Sequence, residues 1–173
     1  MLMDKKSKED KFYIDTSALI RIFRFYPGDL SEQIWKKLNE MFISGQMRSH
    51  RFVYEEITTT SKNPDALTRK VLPLRDYFET IKYSQTLITS DIIKNFPGLI
   101  DPNNEKEQAD PWLIAIALEE KKCNFDEAIY VVSEESEIKQ NRIPAVCRHY
   151  EIEHINLDSF FKKIGVSFKM ALE

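Results

Sequence analysis

An α/β fold with a mostly parallel sheet is what this sequence predicts, and three observations carry it. Short apolar runs of strand character, at 12–14, 47–49, 128–132 and 152–157, alternate with longer stretches whose apolar residues recur at helical spacing. The apolar fraction is 42% of 173 residues, with two Trp, seven Tyr and eleven Phe, enough to fill one core of this length. No repeat, low-complexity stretch or linker divides the chain. Strands that alternate with helices build a sheet with helices packed on its faces.

Taken in order, residues 1–10 are charged and aperiodic, which predicts a solvated, flexible tail. Phe12 to Ile14 is a strand that stops at Asp15; Thr16 and Ser17 are suited to cap a helix over Ala18 to Phe25, broken by Pro27 and Gly28. A second helix opens at Asp29 or Ser31, carries Ile34, Leu38, Met41 and Phe42 on one face, and closes at Gly45. Met47 to Ser49 is a candidate strand and Arg51 to Thr58 a helix, followed by a turn through Thr58 to Ser61 and Asn63-Pro64. Ala66 to Tyr77 is expected as helix disturbed at Pro73, Thr80 to Tyr83 as a short strand, and Asp91 to Phe96 as a helical piece.

Asp110-Pro111 is a helix-start signal, and the helix to Lys122 is apolar nearly all round, which marks it as buried. Ala128 to Val132 is a strand, Ser133 to Arg142 a charged loop, Ile152 to Leu157 a last strand, and Asp158 the start of a helix that stops at Gly165. The domain is expected over 11–165, with a C-terminal tail at 166–173.

Composition excludes several function classes. Four glycines, Gly28, Gly45, Gly98 and Gly165, are too scattered for a Walker loop or a GxGxxG turn. Two cysteines, Cys123 and Cys147, make no disulfide scaffold and read as reduced thiols, and Cys147 with His149 is a weak zinc pattern. Met1 to Lys11 lacks the apolar stretch of a signal peptide, and Leu113 to Leu118 is too short to span a bilayer, so a soluble cytoplasmic protein is expected, with no membrane partner. The 28 acidic and 25 basic residues give a net charge of −3, so no broad basic surface for nucleic acid is visible.

In open parallel sheets, ligands bind beyond the carboxyl ends of the strands, where strand order reverses. Asp15 follows the first strand, as a helix N-cap or a site residue, and Ser133 to Glu135 follow the run at 128–132. On a helix turning about 100° per residue, Glu56 falls between Phe52 and Val53 on the inward arc while Glu55 points away. Asp110 shares a face with Leu113, Ile114 and Ala117 at the head of the most buried helix. Carboxylates gathered there need a counter-charge; no Lys or Arg occupies a matching inward position, and a hard divalent cation such as Mg²⁺ is the economical one. That chemistry suits phosphodiester hydrolysis.

Tyr13 to Ser17, Val53 to Ile57, Ala109 to Ala117 and Val131 to Glu135 resemble, in order and spacing, the motifs of the PIN domain, closest to VapC-like proteins. The similarity runs from about Phe12 to Ile164 and includes the Ile143 to Cys147 segment of one subgroup. The resemblance implies a three-layer Rossmann-like sheet and an acidic cluster that binds Mg²⁺ or Mn²⁺. It also implies a ribonuclease acting on RNA, often the toxin of a pair with a cognate antitoxin protein, and a homodimer. Asp15, Glu56 and Asp110 match the first three acidic positions as metal-binding catalytic residues. The fourth motif usually reads Thr-x-Asp; here Ser133-Glu134-Glu135 puts Glu135 at the acidic place, with Glu134 the alternative, and Ser17 and Ser133 are orienting hydroxyls or plain turn residues. Arg21, Arg24, Arg51 and Arg142 are candidate backbone contacts or ordinary surface residues. Two other readings stay open: a PIN-fold module that binds without catalysis, and a DNA nuclease of related fold.

Overall fold

The computed structural model describes residues 10–26, 28–59 and 65–166. The two expected tails, apart from Asp10 and Val166, lie outside these residues, as do Pro27 and the Thr60 to Pro64 part of the expected turn. Five strands form one sheet: β1 (Lys11–Ile14), β2 (Met47–His50), β3 (Phe78–Glu79), β4 (Ile129–Val132) and β5 (Glu153–Ile155). All pairings are parallel and the order is β3-β2-β1-β4-β5. The fold is Rossmann-like, with helices on both faces of a wholly parallel sheet.

The helices among the described residues are α1 (Thr16–Phe25), α2 (Gly28–Ser44), α3 (Arg51–Thr58), α4 (Ala66–Val71), α5 (Tyr83–Asn95), α6 (Ala109–Cys123), α7 (Ile143–His149) and α8 (Leu157–Lys163). Strand side chains alternate between faces, and the core divides accordingly. Phe12, Ile14 and Val132 pack with α1, α2, α3, α4 and α8, whereas Tyr13, Ile129 and Val131 pack with α5, α6 and α7. Residues 113–117 of α6 are buried without interruption, as the all-round apolar pattern requires.

Several boundaries differ from the sequence reading, each for a local reason. Asp15, not Thr16 or Ser17, caps α1, because its carboxylate reaches the Ala18 N–H. Helix α4 ends at Val71, and Leu72–Tyr77 tightens into a 3₁₀ helix around Pro73, which lacks the N–H a continuing α-helix needs. The strand expected at 80–83 lies instead at Phe78–Glu79, beside Ser49 and His50. Helix α5 starts at Tyr83; its exposed Tyr83 and Leu87 obscured the pattern that predicted helix only from Asp91. Helix α6 is flanked by Gln108 rather than capped by Asp110, and Asn156 rather than Asp158 caps α8. Helix α7 was not expected; it begins at Ile143-Pro144, with proline in the first turn where it costs no hydrogen bond.

The chain runs outward from β1 through β2 to β3, then returns to place β4 and β5 on the other side of β1. The order therefore reverses between β1 and β4. Their carboxyl ends are joined there by the Asp15 N–H, which donates to the Val132 carbonyl at 3.1 Å.

Candidate functional site

Four acidic segments meet at this reversal point. Asp15 leaves β1 and is 2% exposed; its Oδ1 accepts from the Ala18 N–H at 2.8 Å and its Oδ2 from the Ser17 hydroxyl at 2.7 Å. Burial pushes its carboxyl up to about 7, against those two hydrogen bonds, and Glu135 adds to the rise. Ser17 also accepts the Glu134 N–H at 3.0 Å, so one hydroxyl ties the start of α1 to the end of β4.

Glu56 arrives on α3 and faces inward, as the helical-wheel angle predicts. Its Oε2 accepts from the Thr16 hydroxyl, and its Oε1 accepts from the Ala109 N–H at 3.0 Å. The second bond satisfies one of the four amides that the first turn of α6 leaves unpaired. Glu55 points out and pairs with Arg51 at 2.6 Å. Glu56→Ala leaves two donors without their acceptor, and a loss of about 1–3 kcal/mol in denaturant unfolding is expected. Glu56→Gln keeps one acceptor oxygen and is expected to lose less.

Asp110 sits in the first turn of α6. It is half-buried and accepts no hydrogen bond among the described residues. Its carboxyl is held well above the usual range, first by burial and then by the charges of Glu135, Asp15 and Glu56, with Arg142 opposing. The charges of Glu135, Asp15 and Glu56 therefore all reach Asp110. Glu135, not Glu134, belongs to this group. Its Oε2 accepts from the Ile143 N–H at 2.8 Å, and its Oε1 faces the Arg142 guanidinium at 3.4 Å. Glu134 turns the other way, to the Leu157 N–H at 2.7 Å and Arg21 at 2.9 Å.

Ser133 is fully buried and meets the His154 ring at 2.8 Å; the other ring nitrogen of His154 meets Glu137 at 3.0 Å. The Ser133 hydroxyl also accepts the Glu135 N–H at 3.4 Å. Thr16, His154 and the Ala109 amide escaped the sequence reading. Arg142, from the loop before α7, is exposed and reaches Glu135 from the outside, so no Arg takes an inward position there among the described residues. Cys147 is buried and Cys123 exposed, and neither joins a ligand group.

Among the described residues, no three His, Cys, Asp or Glu side chains are set as a group that would hold a metal ion. Donor chemistry and charge nevertheless suit a hard divalent cation: the donors are carboxylate oxygens, their mutual repulsion falls on Asp110, and Asp110 is uncommitted. Mg²⁺ retains several waters and needs only one or two carboxylates, not a closed protein cage.

Fold and site together define an α/β protein with a carboxylate cluster at the switch point of a parallel sheet. The chain belongs to the DUF4411 family, described as a domain of unknown function, whose model matches residues 12–168. No curated protein matches it. None of its helices among the described residues is long and apolar enough to cross a membrane.

Proposed function

We propose that the protein is a cytoplasmic PIN-like nuclease, Mg²⁺- or Mn²⁺-dependent, that hydrolyses phosphodiester bonds in RNA. The observation that carries this reading is the convergence of Asp15, Glu56, Asp110 and Glu135, from four separate segments, on the carboxyl ends of β1 and β4. Asp15 and Asp110 would hold the ion, while Glu56 and Glu135 would act around it through water. Bound there, the ion supplies a lowered pKa for water and positive charge against the phosphate.

The chain's own residues do the rest. Thr16 and the Ala109 amide fix the Glu56 carboxylate, and the Ile143 amide with Arg142 fixes Glu135. These anchors keep the negative charge directed at one point without spending protein flexibility during the reaction. Water attacks phosphorus, the bond to the leaving ribose oxygen breaks, and the proton passes to that oxygen.

The test is cleavage of labelled structured RNA, single-stranded RNA and single-stranded DNA with Mg²⁺, Mn²⁺ or EDTA. Asp15→Asn and Asp110→Asn are expected to lower the rate at least about a hundredfold. Cleavage in EDTA, or equal cleavage by Asp15→Asn, would overturn the mechanism. A preference for DNA would move the assignment to a DNA nuclease.

A second reading is a binding module without catalysis. Its support is that both oxygens of Asp15, Glu56 and Glu135 face donors from the chain itself, as in a structural clasp. The same assay separates the two readings. The toxin role, with an antitoxin partner and a homodimer, follows from the VapC-like resemblance. Growth arrest on expression, relieved by a small neighbouring gene, tests the first part, and light scattering tests the dimer.

A further inference from the structure

A chain of polar groups beside the carboxylate cluster ends on Glu135. It begins at the surface, where Arg148 of α7 holds Glu137 twice, donating from Nη1 to Oε2 at 3.3 Å and from Nη2 to the backbone carbonyl at 3.1 Å. Glu137 Oε1 meets His154 Nδ1 at 3.0 Å, and His154 Nε2 meets the Ser133 hydroxyl at 2.8 Å. That hydroxyl accepts the Glu135 N–H at 3.4 Å. The loop after β4, strand β5 and helix α7 are joined by these contacts. Glu134, next in the loop, stays outside the chain, because its own N–H goes to Ser17 at 3.0 Å.

Donor and acceptor rules fix where the protons of the chain sit. An ionised carboxylate only accepts, so Glu137 draws the single proton of a neutral His154 ring to Nδ1. Nε2 is then an acceptor and takes the Ser133 O–H, which leaves the Oγ lone pairs for the Glu135 N–H. Burial lowers the proton affinity of the ring, against the pull of Glu137, and favours the neutral form. The connectivity is that of a nucleophile, a base and an acid, but exposure runs the wrong way for that use. Ser133 is fully buried, while Glu137 is the open end with 62% of its side chain exposed, so no substrate meets Oγ. The hydroxyl is held as an acceptor instead, turned toward a backbone amide.

We infer that His154 is a positioning residue for Glu135, acting through Ser133. By taking the hydroxyl proton, the ring commits Oγ to the Glu135 N–H and so sets the backbone from which the Glu135 side chain reaches the cluster. The Ile143 amide holds the carboxylate end of the same residue at 2.8 Å, so Glu135 is fixed at its main chain and at its tip. Without the ring, the Ser133 hydroxyl is released to rotate, and the hold on the main chain is lost. The effect on rate rests on the nuclease reading; the hold on Glu135 does not.

The experiment compares the wild type with His154→Phe, which keeps a ring without hydrogen bonds, His154→Gln, which keeps an acceptor, Glu137→Ala, and the double variant of His154→Phe with Glu137→Ala. Long-range nitrogen–proton NMR spectra of the imidazole are expected to place the His154 proton on Nδ1. Exchange of the Glu135 amide is expected to quicken about tenfold in His154→Phe and about twofold in His154→Gln, with the Glu134 amide unchanged. In RNA cleavage with Mg²⁺, His154→Phe is expected to lower kcat about tenfold with KM within about twofold, and His154→Gln to restore most of the rate. Glu137→Ala is expected to cost about threefold alone and nothing further on His154→Phe, because both act through one chain. Thermal melts verify folding; a ring that merely fills space would shift the melting temperature and leave kcat and the contrast between the two amides alone. Should His154→Phe not fold, Glu137→Ala at its exposed site carries the comparison, with Glu135 exchange about threefold faster. A proton on Nε2, or Glu135 exchange unmoved in the variants, would overturn the inference. Active wild type with kcat unmoved in His154→Phe overturns it too and leaves the nuclease. Wild type that cuts no RNA but shows the Nδ1 proton and the selective exchange keeps the positioning role and removes the nuclease.

Discussion

Asp15→Asn is expected to stabilise the protein in EDTA at pH 8 by about 4 kcal/mol more than it does at pH 4. The free Asp carboxyl titrates near 3.8, and in the fold burial raises it to about 7. Between those values the folded state holds a proton that the unfolded chain has released, so the Asp15 contribution falls as pH rises through the window and is flat above it. Asparagine is neutral throughout and escapes the loss. The comparison must be with the variant, because His50 acts in the opposite sense. Burial lowers its ring to about 4 from 6.5, so its contribution rises with pH over much of the same interval. Chemical denaturation of both proteins at several pH values checks the result; parallel curves would remove the repulsive cluster. Asp110 shifts in the same direction as Asp15 and should add to the effect. On the proposed function, Mg²⁺ or Mn²⁺ at pH 8 raises the melting temperature of the wild type and leaves that of Asp15→Asn nearly unchanged.

Phe12→Ala is expected to cost about 3–5 kcal/mol, the range for removing a buried aromatic ring. Phe12 is 1% exposed in β1. Its ring stacks on Tyr130 of β4 at 5.4 Å and meets the edge of Phe160 of α8 at 5.1 Å. One side chain thus joins the central strand, its neighbour and the last helix, and the cavity it leaves is bounded by strands that cannot close over it. Urea unfolding measures the cost, and Phe12→Leu, which retains most of the volume, should lose less. A loss below about 1 kcal/mol would show that the neighbouring rings collapse into the space.

Residues whose placement depends on a single periodicity were legible in the sequence. Phe12 to Ile14 ends abruptly at Asp15, and the angle along α3 was enough to turn Glu56 inward and Glu55 outward. The parallel sheet and its reversal point followed from the rhythm of strands and helices, and the structure has both. What sequence reasoning left open depended on groups distant along the chain. Glu134 and Glu135 are neighbours in one loop, and nothing local separates them; the choice is made by the Leu157 amide at the start of α8 and the Ile143 amide at the start of α7. Helix α7 is a single short element, too brief to show a period. Asp110 reads as a cap by its Pro111 neighbour, yet the helix already begins at Ala109, whose amide is taken by Glu56, 53 residues earlier.

The bond from the Asp15 N–H to the Val132 carbonyl has a consequence for the order of events during synthesis. Asp15 emerges from the ribosome early, but β1 has no β4 beside it until residues 129–132 follow, and Glu135 has no anchor until Ile143 is made. Contacts so far apart in the chain form late. A nascent chain therefore carries Asp15 and Glu56 throughout the synthesis of the segment up to Asp110, and the charge cluster closes only once Glu135 and Ile143 have followed. If the finished protein cuts RNA, the ribosome and the message that produce it are spared until then.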